Sequence, residues 1–184
     1  MNHFSEKMNS LGYDNLVHQE KEFTKGKMFK LEEILQAKLP TQYRQFLLDY
    51  GGCAIAIEEY VVVDYIEKNP RDGDECLVEV FFGIPLDTAS DKQKLYDLFG
   101  EYYGYLGIIP SNLLPIATSC GNIICISFQG TNKGKVYLWE HEEEEMTAAG
   151  EPCTYSNVYL ISHSFKEFIK SLKIQTEEEF LESL

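Results

Sequence analysis

Residue types that could support catalysis occur along the chain, but their spacing fits no catalytic site. The loop from Gly130 to Lys135 resembles a phosphate-binding loop, yet that motif needs four residues between its glycines and Ser or Thr after the lysine. The loop also lies between two predicted strands, so no helix N-terminus is available to bind phosphate. No Gly-x-Ser-x-Gly sequence marks a serine nucleophile.

The cysteines and histidines do not form a recognisable reactive or metal-binding set. Cys120 or Cys125 would need His141 or His163 as a base, and Cys125 lies in an apolar run where a buried, inert thiol is expected. His141 stands among acidic residues that could attract a divalent cation, but a metal site needs convergent ligands. We therefore expect no catalytic residue, no metal and no cofactor. An unrecognised enzyme is the alternative that a convergent, desolvated polar pocket would support.

Acidic side chains instead gather in three segments, at residues 58–64, 72–75 and 140–145. If the fold brings these segments together, one face of the protein has a strong negative potential that attracts a basic partner. The alternative is a set of merely solvated loops, and Trp139 fits a core position as well as an interface. The residues predicted to bind a partner are Glu58, Glu59, Asp72, Asp74, Trp139, Glu140, Glu142 and Glu143.

Composition agrees with a protein partner rather than a nucleic acid. The chain has 184 residues, with 30 Asp and Glu against 16 Lys and Arg, for a formal net charge of −14. Nucleic acids and anionic membranes require a basic surface, so the charge favours a basic protein partner or simple solubility. The N-terminus lacks a signal-peptide pattern, and no apolar run approaches the roughly 20 residues of a membrane helix. The five cysteines, without Cys-x-x-Cys spacing, are expected to be reduced. We therefore expect a cytoplasmic protein.

The predicted elements give an α+β fold with a mainly antiparallel sheet and helices packed on it. The clearest helix has Pro40 in its first turn and Tyr43, Phe46, Leu47 and Tyr50 on one stripe, and it ends at the Gly51-Gly52 pair in a left-handed conformation. Gly26 is expected to interrupt any earlier helix. Further helices are predicted at 30–38, 90–103, after Ser164 and at 176–183, and strands at 53–57, 60–64, 76–82, 113–118, 123–128, 135–139 and 158–161.

An ordered set of short motifs spans about residues 30–174. They are Leu39-Pro40 with Tyr43, Phe46, Leu47 and Gly51-Gly52; Ile109-Pro110; Leu114-Pro115-Ile116-Ala117; Gly121 to Ile126; Val136 to Glu142; and Ser164 to Leu172. This set resembles the SUKH superfamily, the group that contains the fungal Smi/Knr-type cell-wall regulators. Where that pattern often has Asp, this chain has Glu140. The chain is thus predicted to be one domain over 1–184, with an N-terminal helical extension at 1–29 and an acidic C-terminal helix at 175–184.

The resemblance implies a function as well as a fold. Bacterial members of the superfamily look like immunity proteins that bind and neutralise toxin domains of polymorphic or contact-dependent toxin systems, many of them nucleases. The implied fold is α+β without a known catalytic site. The implied partner is a cognate toxin domain, a basic protein such as a nuclease. The alternative is an interaction scaffold or regulator of the fungal cell-wall type.

Overall fold

The computed structural model describes residues 4–17, 20–55, 59–67, 74–143 and 154–183. Within these ranges the chain has the predicted α+β architecture of antiparallel sheets and packed helices. The helices are α1 (Ser5–Ser10), α2 (Lys21–Ile34), α3 (Thr41–Tyr50), α4 (Asp91–Lys94), α5 (Leu98–Gly104), α6 (Phe165–Ser171) and α7 (Glu177–Ser183). The strands are β1 (Asp14–Asn15), β2 (Cys53–Ala54), β3 (Tyr60–Asp64), β4 (Glu75–Leu77), β5 (Leu113–Ser119), β6 (Asn122–Ser127), β7 (Val136–Trp139), β8 (Val158–Ser162) and β9 (Lys173–Gln175).

The larger sheet has four antiparallel strands in the order β5-β6-β7-β8. All residues of β6 and β7 are buried, which explains why their sequences are continuous apolar runs rather than alternating ones. The β5–β6 hairpin turns through Cys120 and Gly121, whose φ angles of 46° and 86° suit a tight two-residue turn. This turn brings Asn122, the first residue of β6, close to the end of β7.

A second sheet, called the smaller sheet below, has three strands in the order β4-β3-β9, and β1 and β2 form a separate two-stranded sheet. Its third strand, β9, was not predicted, because Lys173-Ile174-Gln175 is short and has no apolar run. The segment after β4 crosses to the larger sheet, where the backbone N–H of Phe82 donates to the carbonyl of Ile116 at 2.9 Å. Beyond β3, the N–H of Ile66 donates to the carbonyl of Leu160 at 2.9 Å. The two sheets are therefore joined by backbone hydrogen bonds on both sides.

Aromatic side chains form the centre of the core between the helices and the larger sheet. The predicted stripe of α3 is buried, and its Phe46 ring lies 4.8 Å from the Phe81 ring and 5.1 Å from the Phe165 ring of α6. Phe4 packs edge-on against Phe46 at 5.8 Å. Burial of a large apolar side chain such as Phe4 stabilises a protein by about 1.5–3 kcal/mol. The N-terminal extension, which contains Phe4, is therefore part of the core.

The glycine pair after α3 has a different role from the one predicted. Gly51 is extended, with φ −57°, and only Gly52 is left-handed, with φ 76°. A Cβ atom on Gly83 would lie 2.5 Å from the backbone nitrogen of Gly52, and one on Gly52 would lie 2.5 Å from Cβ of Val17. The glycines therefore allow two backbone segments to cross in direct contact.

Several predicted boundaries are wrong for local reasons. Gly26 does not interrupt α2, because tertiary packing outweighs the weak helix propensity of one glycine. The predicted helix at 90–103 is two helices, since Asp97 caps the second by accepting a hydrogen bond from the N–H of Phe99 at 3.1 Å. Pro40 is the N-cap of α3 rather than its first helical residue. Strand β4 ends at Leu77, well before the predicted residue 82, because the chain there changes pairing partner.

Candidate partner-binding surface

The structure places the predicted partner-binding residues in two different sheets. Glu59 and Asp74 immediately precede β3 and β4 of the smaller sheet, and both are exposed. Glu142 is exposed in a short 3-10 turn after β7 of the larger sheet. Glu58 and Asp72 lie outside the described residues, as does the side chain of Glu143. Strand pairing therefore does not bring all three acidic segments together. That convergence was the condition for the single acidic face considered in the sequence analysis.

Trp139 and Glu140 do not lie on the surface where a partner would meet them. Their exposed fractions are 3% and 6%. The Trp139 ring packs edge-on against Tyr105, with 5.6 Å between the ring centroids. This corrects the prediction that the two residues contact a partner: both are parts of the folded core at the end of β7.

Glu140 belongs to a buried polar network centred on Asn122. The Asn122 side-chain N–H donates to Glu140 Oε2 at 2.8 Å, and the backbone N–H of His141 donates to Asn122 Oδ1 at 3.1 Å. The Asn157 side chain donates to the Glu140 carbonyl at 2.7 Å. Buried polar groups need such partners, so this network joins the β5–β6 turn, the end of β7 and the start of β8. Two of the sequence motifs, Gly-Asn and Trp-acid-His, are therefore joined by one amide.

Exposed carboxylates gather instead on the smaller sheet and on α7. The pairing of Tyr60 with Gln175 places the end of β9, and hence the start of α7, beside Glu59. We call this region the acidic surface; its exposed acids are Glu59, Glu177, Glu178, Glu179 and Glu182. Asp74 lies at the opposite end of β3, where its backbone carbonyl accepts a hydrogen bond from the N–H of Tyr65 at 2.9 Å.

One lysine of β9 neutralises part of the surrounding charge. Lys173 Nζ lies 2.6 Å from Asp64 Oδ1 and 3.6 Å from Glu75 Oε1. The hydrogen bond to Asp64 raises the pKa of Lys173. Just after the last residue of β9, two hydrogen bonds from Thr176 lower the pKa of Glu179, so the Glu179 carboxylate stays ionised. The acidic surface therefore keeps a strong net negative charge at neutral pH.

An aromatic pair lies within the acidic surface. The rings of Tyr60 and Phe180 stack in parallel, with 4.3 Å between centroids and 9° between planes, and both side chains are partly exposed. Leu181, the residue after Phe180 on α7, is 62% exposed. Exposed apolar and aromatic groups surrounded by charge are typical of protein interfaces.

Sequence analysis did not find this surface, although one signal was present. Thr176 and Glu179 form a reciprocal capping box, in which the Thr176 N–H donates to Glu179 Oε2 at 2.8 Å and the Glu179 N–H donates to Thr176 Oγ1 at 3.3 Å. The box fixes the start of α7. That α7 packs next to β3 depends on β9, which the sequence pattern did not predict.

Two cysteines among the described residues, Cys53 and Cys125, are buried thiols. Burial raises the pKa of the Cys53 thiol to about 12 and that of Cys125 higher still, so both stay protonated near pH 7 and are poor nucleophiles. No group of three or more His, Cys, Asp or Glu in the described part of the chain is arranged to hold a metal ion. Among the same residues, no helix is both long and apolar enough to cross a membrane.

Comparison with known proteins identifies relatives of the chain. The SMI1/KNR4 family (SUKH-1) matches residues 23–171. The chain is also 32% identical over 160 residues to the SPbeta prophage-derived uncharacterized protein YokK of Bacillus subtilis (strain 168), a match that covers 81% of this chain and 74% of that protein. No solved structure matches significantly.

Proposed function

The chain belongs to the SMI1/KNR4 family (SUKH-1), and from this premise we propose that it is a cytoplasmic immunity protein that binds and neutralises a cognate toxin domain. The family match confirms the resemblance inferred from the ordered motifs. The proposed mechanism is occlusion: the protein covers the working surface of the toxin and performs no reaction on it.

The observation that carries this proposal is the acidic surface with its aromatic pair. A nuclease toxin has basic residues where it binds phosphate. A surface rich in carboxylates competes with the nucleic acid for those basic residues. Electrostatic attraction speeds the encounter, and it weakens as salt concentration rises. The Tyr60–Phe180 stack and Leu181 then provide the apolar contact area that holds a complex together.

The proposed contacts combine residues predicted from the sequence with those that the fold adds. Glu59 is retained on the acidic surface, and α7 adds its glutamates and Leu181. Asp74, at the other end of β3, remains a proposed contact. Glu142, Glu143, Glu58 and Asp72 remain proposed contacts, and of these only the side chain of Glu142 belongs to the described part of the chain.

A charge-reversal experiment tests the proposed surface. We expect Glu59→Lys/Glu178→Lys/Glu182→Lys to weaken toxin binding by about tenfold or more, because three attractive contacts become repulsive. The matched control is Glu6→Lys/Glu20→Lys/Glu33→Lys, which changes three exposed acids elsewhere by the same total charge. Both variants should retain the circular dichroism spectrum of the parent.

The measurement is titration calorimetry or biolayer interferometry with the purified toxin domain at two salt concentrations. Equal affinities for the two variants would refute the acidic surface as the contact. A complex whose affinity does not change with salt would refute the electrostatic part of the mechanism. The scaffold alternative predicts instead that the protein binds several signalling proteins and does not protect cells from a toxin.

A further inference from the structure

The outer side of β9 is an open strand edge. The N–H of Val78 donates to the carbonyl of Val61 at 2.7 Å, so the backbone polar groups of Val61 point toward β4. Ile174 is paired directly opposite Val61 in the antiparallel register. Because hydrogen-bonded and non-hydrogen-bonded pairs alternate along such a ladder, the N–H and C=O of Ile174 point away from β3. Among the residues that the structure describes, none forms a hydrogen bond with either group.

The two edges of the larger sheet are covered, in contrast to this one. Phe82 donates its backbone N–H to β5, and Ile66 donates its backbone N–H to β8. In β9 both Lys173 and Ile174 are exposed. An uncovered strand edge is a template for pairing with another extended chain, because its free N–H and C=O groups select a partner backbone.

The two faces of β9 have different neighbours. The side chain of Ile174, which is 38% exposed, lies on the same face as that of Val61, which is 1% exposed. Ile174 is thus at the rim of a buried apolar layer. Gln175 is paired with Tyr60 on the other face, where the Phe180 ring of α7 stacks on the Tyr60 ring at 4.3 Å. A strand added to β9 therefore has an apolar neighbour on one face and α7 on the other.

The charge beside this edge is negative. The smaller sheet and α7 contain one cation, Lys173, whose ammonium group is engaged by Asp64 at 2.6 Å and by Glu75 at 3.6 Å. The next lysine in the sequence, Lys170, belongs to α6. The carboxylates of α7 have no cation of their own helix to pair with; they are Glu177, Glu178, Glu179 and Glu182. Basic side chains are therefore favoured on the α7 face of an added strand.

We propose that the open edge of β9 binds an extended segment of the partner as an additional antiparallel strand. The N–H and C=O of Ile174 pair with one residue of that segment, whose apolar side chain packs beside Ile174. The residues before and after it direct basic side chains toward α7. The inference rests on the proposed function for the identity of the partner as a toxin domain, and it specifies how that partner contacts the acidic surface.

Defined peptides test the edge without any toxin. The probe is a capped seven-residue peptide that alternates Lys and Val and has Lys at both ends. One matched version is N-methylated on every Val and loses the N–H groups that would face Ile174, whereas the other is N-methylated on every Lys and keeps them. Binding to the full chain is measured by fluorescence anisotropy, and the site is mapped by chemical shifts of ¹⁵N-labelled protein. We expect shifts at residues 59–62 and 173–182, and at least a tenfold lower affinity for the Val-methylated peptide and for a peptide with Glu in place of Lys.

Amide exchange and substitution in β9 test the direction of its backbone. In the free protein the amide of Ile174 should exchange at least tenfold faster than that of Gln175, which points toward β3, and the probe peptide should slow it. Ile174→Pro removes the outward N–H and leaves the ladder to β3 intact, so peptide affinity should fall about tenfold. The control Ile174→Val keeps the N–H and should leave affinity unchanged. Both variants should retain the circular dichroism spectrum of the parent, and if Ile174→Pro does not fold, the two N-methylated peptides decide.

The proposal is overturned if Ile174 is protected from exchange in the free protein, alone or through pairing of two copies, or if Gln175 exchanges as fast as Ile174. It is also overturned if the two N-methylated peptides bind equally well, or if shifts map elsewhere or are absent at millimolar peptide. Because this assay contains no toxin, its failure leaves the immunity function in place. Failure of toxin binding or of cell protection, in turn, leaves the strand-binding edge in place.

Discussion

Replacing Glu140 separates its structural role from the partner-binding role that the sequence suggested. In Glu140→Ala the Asn122 side-chain N–H loses its acceptor at 2.8 Å, in a place where Asn122 is 7% exposed. A charge-assisted hydrogen bond with one buried partner left behind costs about 2–3 kcal/mol. For a domain of this size, such a loss lowers the melting temperature by about 4–12 °C.

The isosteric change gives a smaller effect. Glu140→Gln keeps an oxygen acceptor for the Asn122 amide and removes only the charge, so we expect a loss of about 1 kcal/mol. The matched surface control is Glu142→Ala, whose side chain is exposed, and it should change stability by less than about 0.5 kcal/mol. The measurement is urea-induced unfolding followed by tryptophan fluorescence, since Trp139 is the adjacent residue.

A double-mutant cycle with Asn122→Ala tests whether the two side chains act as a pair. Because either single change removes the same hydrogen bond, the double variant should lose less stability than the sum of the two, by about 1–2 kcal/mol. The reasoning is refuted if the losses are additive. It is also refuted if Glu140→Ala retains full stability and loses only partner binding, since Glu140 would then be the contact residue that the sequence suggested.

Three further changes test other parts of the fold. Gly83→Ala should destabilise the protein by about 3 kcal/mol or prevent folding, because the new Cβ would lie 2.5 Å from the backbone nitrogen of Gly52. In the control Gly104→Ala the new Cβ meets nothing within 4 Å, so thermal unfolding should be unchanged. The free energy of unfolding should fall between pH 9 and pH 12, and Cys53 should contribute up to about 1.4 kcal/mol per pH unit to that fall, because its thiol has a pKa near 9.0 when unfolded and about 12 when folded. Urea titrations across this range should show a shallower fall for Cys53→Val, and an unchanged slope would contradict the assignment. Phe180→Ala should remove the ring stack and cost about 0.5–1.5 kcal/mol, so hydrogen exchange should rise in α7 and not in β6; protection that is unchanged in α7 would contradict its docking through this stack.

Local patterns predicted the elements that are buried for simple reasons. The Tyr43, Phe46, Leu47 and Tyr50 stripe gave α3, and the apolar runs gave β6 and β7, because burial of these residues is visible in their own sequence. The family resemblance added the overall fold. Neither the local patterns nor the motif resemblance requires knowledge of the contacts between distant segments.

The candidate surface was not predictable in the same way. It depends on β9 pairing with β3, which joins Gln175 to Tyr60 from opposite regions of the chain. A three-residue segment with one apolar residue, Ile174, between a lysine and a glutamine does not reveal a strand whose stability comes from its neighbour. Glu140 was misassigned for a related reason: an acidic residue is normally exposed, and its burial follows from Asn122, a partner on another strand.

The most direct test of the central claim is co-expression of the protein with a candidate toxin domain from a neighbouring reading frame, with cell survival and co-purification measured together. We predict survival, a stable complex that weakens with added salt, and loss of both in Glu59→Lys/Glu178→Lys/Glu182→Lys but not in Glu6→Lys/Glu20→Lys/Glu33→Lys. Cell death without a complex, while both proteins are expressed and the protein is folded, would contradict the immunity function.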